Sequence, residues 1–481
     1  MIGTTNAKKA VKLDAWYGIE WDTTVTNPKP TRIGKLDLHV SLPLQSMMKR
    51  CVLQDDGTVA YYLHPNDTTK KENGDNANLT GADGQVMVEV PDMYVRFETE
   101  GNKRRCMISI YAIPGFKLWP KNYISAYEAT VQRSLNKLSS VVNSTTDYRG
   151  GNNTAAWDAD NRTQLGRAAS LITLTNFRAY ARNRGSSAWN CNTYMLHRKL
   201  FWLFAVEYGT FYSQDAFNAQ TDASGYRQGG LGEGVTTLDG TKWNNFNGYN
   251  PFLPCGLTNS LGNRTGTIAY TMPMEYDASG PANYKGEYNA ATAYAPGNYV
   301  SSGSQLYTCK LASTGNAVTN TTYFTAVTRK TVSVPSYRGV ENPFGHLWKW
   351  TDGCKCMIQS VADGGLSQFY VCTTPAGYND NGITGYELRG LLSRTNGYIK
   401  EILMGDNGDI MPAAVGAGAT TYFTDYYYTN IPASGTAERG VLFGGFAHDG
   451  AVAGFVCSTT NNAASTANAT IGSRLCFIPA V

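Results

Sequence analysis

The chain has 481 residues, 42% hydrophobic and 16% charged, with 50 glycines, 31 tyrosines and a net charge of +4. This is the composition of a folded protein with many polar loops and chain enough for about two to four domains, and its scattered Lys and Arg argue against nucleic acid as a partner. The longest apolar run, LFWLFAV at 200–206, is too short to insert into a membrane, and the N-terminus carries no stretch of signal-peptide length.

The expectation is a protein made in a cytoplasm and kept there or released by lysis. Residues 1–85 contain short alternating runs, GKLDLHVSLPL and GTVAYYL, and close on a polar tract at 66–84. They read as a small all-β module. From residue 86 the pattern becomes α+β. QVMVEVPDMYVRFE and RCMISIYAI alternate as strands, whereas TLTNFRAYARNRG reads as a helix with Thr175 as N-cap, Phe177, Tyr180 and Ala181 on one face and Gly185 as stop. NTYMLHRKLFWLFAVEYG is a second helix, with Leu196, Leu200, Leu203 and Phe204 at core spacing and Gly209 ending it. His197 on that helix reads as packed or surface-lying, not as a ligand. A loop-rich stretch of Gly, Asn and Tyr follows, long enough to need packing or a function of its own.

Residues 284–330 are almost uncharged, with aromatics at 288, 294, 299, 307, 323 and 324. They read as an inserted mini-domain. YAPGNYVSSGSQLYTC within it resembles the small chitin-binding type 3 carbohydrate modules, with Asn298 in place of an acid and Tyr288 where a tryptophan is usual. That resemblance implies glycan contacts at Tyr288, Tyr294, Tyr299 and Tyr307, with a structural spacer as the alternative.

The ten cysteines show no metal-type spacing and read as buried thiols, so no metal or cofactor is expected. GDNGD at 405–409 reads as a tight turn in preference to a calcium loop. Four ordered motifs then become informative together: YEAT at 127–130, GHLWKW at 345–350, RGVLFGG at 439–445 and GSR at 472–474. Their order resembles the C-type lectin-like fold in the version shared with formylglycine-generating enzymes. The resemblance implies an α+β fold over 86–283 and 331–481, with 284–330 inserted. It does not extend to the oxidase chemistry. Lys349 replaces an acid, and no base or carboxylate pair flanks Cys457 or Cys476 to activate a thiolate. No enzyme is expected.

The segment 440–474 is similar to the variable repeat of proteins diversified by retroelements, among them phage receptor-binding tail proteins. Glycines at 444, 445, 450 and 454 hold an irregular backbone whose shape is independent of the residues between them. The resemblance implies ligand-binding positions at Phe443, Phe446, Ala447, His448, Asp449, Val452, Phe455, Cys457, Thr459, Thr460 and Ser473. Replacing the adenines of an asparagine codon never yields Lys, Glu, Gln, Met or Trp, and all five are absent from 440–481. Tyr426, Tyr427 and Tyr428 lie just upstream as a rim, and consecutive tyrosines on a strand must face both ways.

The expected function is a tail-tip adhesin binding a bacterial surface protein or glycan. It would sit in the virion tail beside other tail proteins, as the homotrimer the resemblance implies, with residues 1–85 attaching or trimerising it. A bacterial or prophage-encoded surface-displayed retroelement target is the first alternative, and a formylglycine-generating-type oxidase the remote one.

Overall fold

The computed structural model describes residues 14–158, 163–215, 218–231, 251–272, 283–303, 305–328 and 330–479. Parts of the loop-rich stretch after Gly209, and residues 1–13 of the N-terminus read for a signal peptide, lie outside them. The architecture departs from the expected α+β C-type lectin-like fold. It is mostly β, 38% strand against 12% helix, with many antiparallel sheets and a half-barrel. Only two described helices exceed six residues, Leu174–Arg182 and Tyr194–Tyr208. Elsewhere short β-branched and aromatic alternations punctuated by Gly and Asn favour hairpins over helical turns.

The helix Tyr194–Tyr208 is the hub. It is buried all round apart from half-buried Met195, and it ends at Gly209 in the left-handed conformation (φ 58°), as its sequence predicts. Phe201, Trp202 and Phe204 meet Tyr17, Ile19, Val86, Val88, Tyr337 and Phe455 in the largest apolar cluster. The helix Leu174–Arg182 is capped by Thr173, whose hydroxyl accepts from the Asn176 amide at 3.2 Å; the cap lies two residues earlier than Thr175.

Three sheets surround the hub. A five-stranded sheet runs Thr31–Gly34, Tyr17–Asp22, Lys103–Ser109, Met93–Glu100, Lys117–Trp119. A six-stranded sheet runs Trp189–Cys191, Leu475–Phe477, Asn122–Ser125, Gln85–Val90, Lys49–Leu53, Val59–Tyr62. Both interleave strands from either side of residue 85, so the first 85 residues are not a separate module. Their apolar faces need partners from the rest of the chain. The third and largest sheet carries the C-terminal segment: Trp348–Gln359 and Thr436–Phe443 lie at its middle, beside Ser458–Thr459, Tyr426–Tyr428 and Gly397–Met404.

The insert forms its own four-stranded sheet within Tyr284–Ala326. It is the loop of a hairpin, because Gly266–Thr271 pairs antiparallel with Thr331–Tyr337 and Thr271 stands opposite Thr331. Tyr294, Val300, Cys309, Val318 and Phe324 form its core. Tyr294 is therefore buried, Tyr299 is buried in a separate cluster with Phe252 and Leu253, and half-buried Tyr288 stacks on Tyr294 at 5.8 Å and donates its hydroxyl to the Asn316 carbonyl. A module this poor in aliphatic residues uses its tyrosines as core, which leaves Tyr288 and Tyr307, both half-buried, as the partly accessible rings among the four expected to meet a glycan.

Candidate functional site

The strand Tyr426–Tyr428 alternates as consecutive tyrosines must: Tyr427 is fully buried, while Tyr426 and Tyr428 are half-buried on the other face. Their rings lie 4.7 Å apart. The neighbouring strand sets Tyr398 directly opposite Tyr426, ring to ring at 5.1 Å and edge-on. Tyr428 leans on Trp348 at 6.1 Å and shares an apolar cluster with half-buried Phe446. Phe446 in turn lies 5.7 Å from the exposed ring of His448. The result is an aromatic face running from Tyr398 through Tyr426 and Tyr428 to Phe446 and His448.

The backbone behind this face is fastened from inside. Gly444, Gly445 and Gly450 are all left-handed, at φ 100°, 71° and 54°. The Asp449 carboxylate accepts from the Phe446 amide at 2.8 Å, closing the turn, and burial lifts its pKa to about 6. Asp425, 1% exposed, accepts from the amides of Val456 at 2.9 Å and Cys457 at 3.2 Å. Burial raises its pKa to about 8 despite those bonds, so the group is held mostly neutral at pH 7. A Cβ at Gly454 would sit 2.1 Å from Asp425, which explains why glycine stands there.

The eleven expected contact positions divide accordingly. His448 is exposed, and Phe446, Asp449 and Val452 are half-buried. Phe443, Ala447, Phe455, Cys457, Thr459, Thr460 and Ser473 are buried. Phe443 lies 4.5 Å from the ring of His197, and Phe455 lies 5.1 Å from Phe204, so both are core partners of the central helix. His197 is packed: burial lowers its pKa to about 4, and its Nε2 donates at 2.7 Å to the Phe455 carbonyl, which can only accept. Ser473 donates to the Trp350 carbonyl, and Thr460 joins Tyr427 and Thr429 in a buried hydroxyl chain. These side chains do not reach a ligand in this conformation. Burial also gives the absence of Lys, Glu and Gln from 440–481 a second cause.

Three of the four ordered motifs meet below the surface. Glu128 meets His346 Nδ1 at 2.5 Å and Lys349 at 3.2 Å, while Arg474 donates to the carbonyls of Ser125, Glu341 and Asn342. Burial pushes the Glu128 carboxyl up, but His346, Lys349 and Arg474 outweigh it and hold the pKa at about 2. All four side chains are at most 3% exposed, so the cluster fastens strands together. The two cysteines weighed for thiol chemistry are equally enclosed. Burial raises the Cys457 thiol well above its usual range and that of Cys476 to about 12, which disfavours a thiolate at either. At the 405–409 turn Asp409 points inward to Arg198 at 2.8 Å, and no group of three or more potential metal ligands occurs among the described residues.

A cleft of about 400 Å³ with charged side chains in its walls opens along the strand Thr436–Phe443, a feature the sequence left unmarked. Asp352, Lys355, Asp380, Glu438 and Arg439 supply its charge, and Ala463, Ala464 and Ser465 also line it. Lys355 donates to Glu438 at 2.6 Å and to Asn379 at 2.9 Å. Arg178 bridges Asp352 and Asp380, and the buried Nε of Arg439 makes no hydrogen bond. Ala464 also packs in the cluster of Phe446 and Tyr428, which joins cleft to face. Neither Tyr398 nor the cleft was legible: GYIKEILM runs its apolar and polar residues in twos instead of alternating, and the walls of the cleft come from five separate segments.

No family model matches the chain, and no curated protein does.

Proposed function

We propose that the chain is a recognition protein that engages a bacterial surface protein or glycan through the aromatic face Tyr398–Tyr426–Tyr428–Phe446–His448 and the cleft that Ala464 joins to it. The observation that carries this is a run of half-exposed rings mounted on a backbone fastened from within. Tyrosines supply large contact area at low entropic cost, and their hydroxyls remain available for polar partners. The likeness of 440–474 to retroelement-diversified proteins supports placing it at a phage tail tip beside other tail proteins, where several copies strengthen modest single-site affinity. On this β-rich scaffold, diversification is confined to positions that reach the surface: Phe446, His448, Asp449 and Val452.

Two measurements test this. Labelled protein is expected to bind a subset of a bacterial strain panel, and Tyr426→Ser with Tyr428→Ser is expected to abolish that binding without lowering the melting temperature. Binding that survives the double substitution rules out the face. Independently, the neighbouring DNA is expected to hold a near-copy of the 440–474 coding segment beside a reverse transcriptase gene. It should differ at adenines for 446, 448, 449 and 452 and agree at 443, 455 and 457. Differences spread equally over buried positions overturn the assignment of the diversified set.

A further inference from the structure

A cavity of about 890 Å³ is lined by none of the residues of the aromatic face. Its walls are apolar: half-buried Trp119 and Met195 face buried Phe477 and Ile478. Neutral polar residues such as Ser187 and Thr374 also line it, and its basic side chains are three, Arg198, Lys199 and Arg389. Asp409, which does not line the cavity, accepts from Arg198 at 2.8 Å and stands 4.0 Å from Arg389 Nε. The other carboxylate on Arg389 is Glu387 at 3.2 Å, whose side chain is 70% exposed. Lys199 is spent on the carbonyls of Pro91, Pro120 and Trp119, which hold the wall at 119–120 in place. The Nε atoms of Arg198 and Arg389 are both buried without a hydrogen bond, and the Arg389 side chain is only 6% exposed. A buried guanidinium donor left unpaired is costly.

We propose that this cavity binds an amphipathic organic anion, its apolar body against Trp119, Met195, Phe477 and Ile478 and its acidic group on Arg389 and Arg198. Apolar walls with a few convergent polar groups are the usual make-up of small-molecule sites. Asp409 is the one buried carboxylate set against Arg198 and Arg389, and Glu387, 70% exposed, is screened by water, which leaves positive charge to be met. An uncharged ligand leaves the guanidinium charge unmet, and a small inorganic anion leaves the apolar walls wet.

The test uses the full chain and 1-anilinonaphthalene-8-sulfonate as probe, followed by calorimetry so that only saturable binding is counted. One site per chain is expected. The uncharged N-phenyl-1-naphthylamine is expected to bind at least about tenfold more weakly, the difference a charge-assisted hydrogen bond supplies. Arg389→Gln should remove most of that difference, and Thr374→Trp, which places a large ring at an exposed position on the cavity wall, should abolish binding with the melting temperature unchanged. Equal affinity for the two probes, no saturable site, or unaltered binding in folded Thr374→Trp would overturn the proposal.

Discussion

Asp425 shows how one buried carboxyl can set the shape of a surface loop. It accepts from two consecutive amides and leaves no room for a side chain at Gly454. Because the folded protein holds its proton up to about pH 8 while an unfolded chain releases it near pH 3.8, the native state binds more protons between those values. Stability from this group is therefore complete below pH 3.8 and declines as pH rises toward 8. Asp425→Asn keeps an acceptor for the amides and removes the titration. Thermal melts at pH 5 and pH 9 are expected to show the variant gaining on the wild-type protein at the higher pH; parallel behaviour would show that Asp425 is ionised in the fold. The glycine frame at 444, 445, 450 and 454 was legible in the sequence, but the carboxyl that makes it necessary was not. Asp425 precedes Gly454 by 29 positions and carries no motif of its own.

At the scale of elements, the strand Tyr426–Tyr428 separates two roles within three residues. Tyr427 fills the core and donates or accepts with Thr460 at 3.1 Å, while its neighbours face outward. Tyr427→Ala is expected to cost about 3–5 kcal/mol in urea unfolding, as for other large buried aromatics, and Tyr426→Ser less than about 1 kcal/mol. A reversed order would mean that the strand is turned over. Period-two alternation made this division readable in advance. The same reasoning failed at Phe443 and Phe455, because a Gly/Ala/Phe-rich segment has the same composition whether it faces solvent or a helix. What decides is the central helix, some 240–260 positions earlier, whose Tyr194, His197 and Phe204 take up those rings. That helix and its glycine stop were plain from periodicity. Its complete burial was not, because Arg198, Lys199 and Glu207 mark an ordinary solvated face until their partners are known.

Over the whole molecule, strands distant in sequence are interleaved. Leu475–Phe477 lies between Trp189–Cys191 and Asn122–Ser125, so one sheet draws on both ends of the chain. Pairings of this range leave no local signature, which is why compositional boundaries near residue 85 did not become structural ones. The insert at 284–330 is the exception, since its change of composition coincides with a sheet and core of its own. Replacing residues 273–329 by an Asn-Gly turn is expected to leave a cooperatively folding protein. Its melting temperature should fall, because Tyr299, Leu306 and Val327 also cover Phe252 and Leu253. Loss of cooperative melting would show that the insert is part of the main core.

The Thr271–Thr331 pairing has a consequence for how such a chain changes over time. Antiparallel partners stand only about 5 Å apart, so entry and exit to the hairpin's contents share one doorway. Any foreign domain whose own termini lie close together can be grafted there without stretching the host. The site is a natural socket, open to exchange of cargo while the rest of the fold stays fixed.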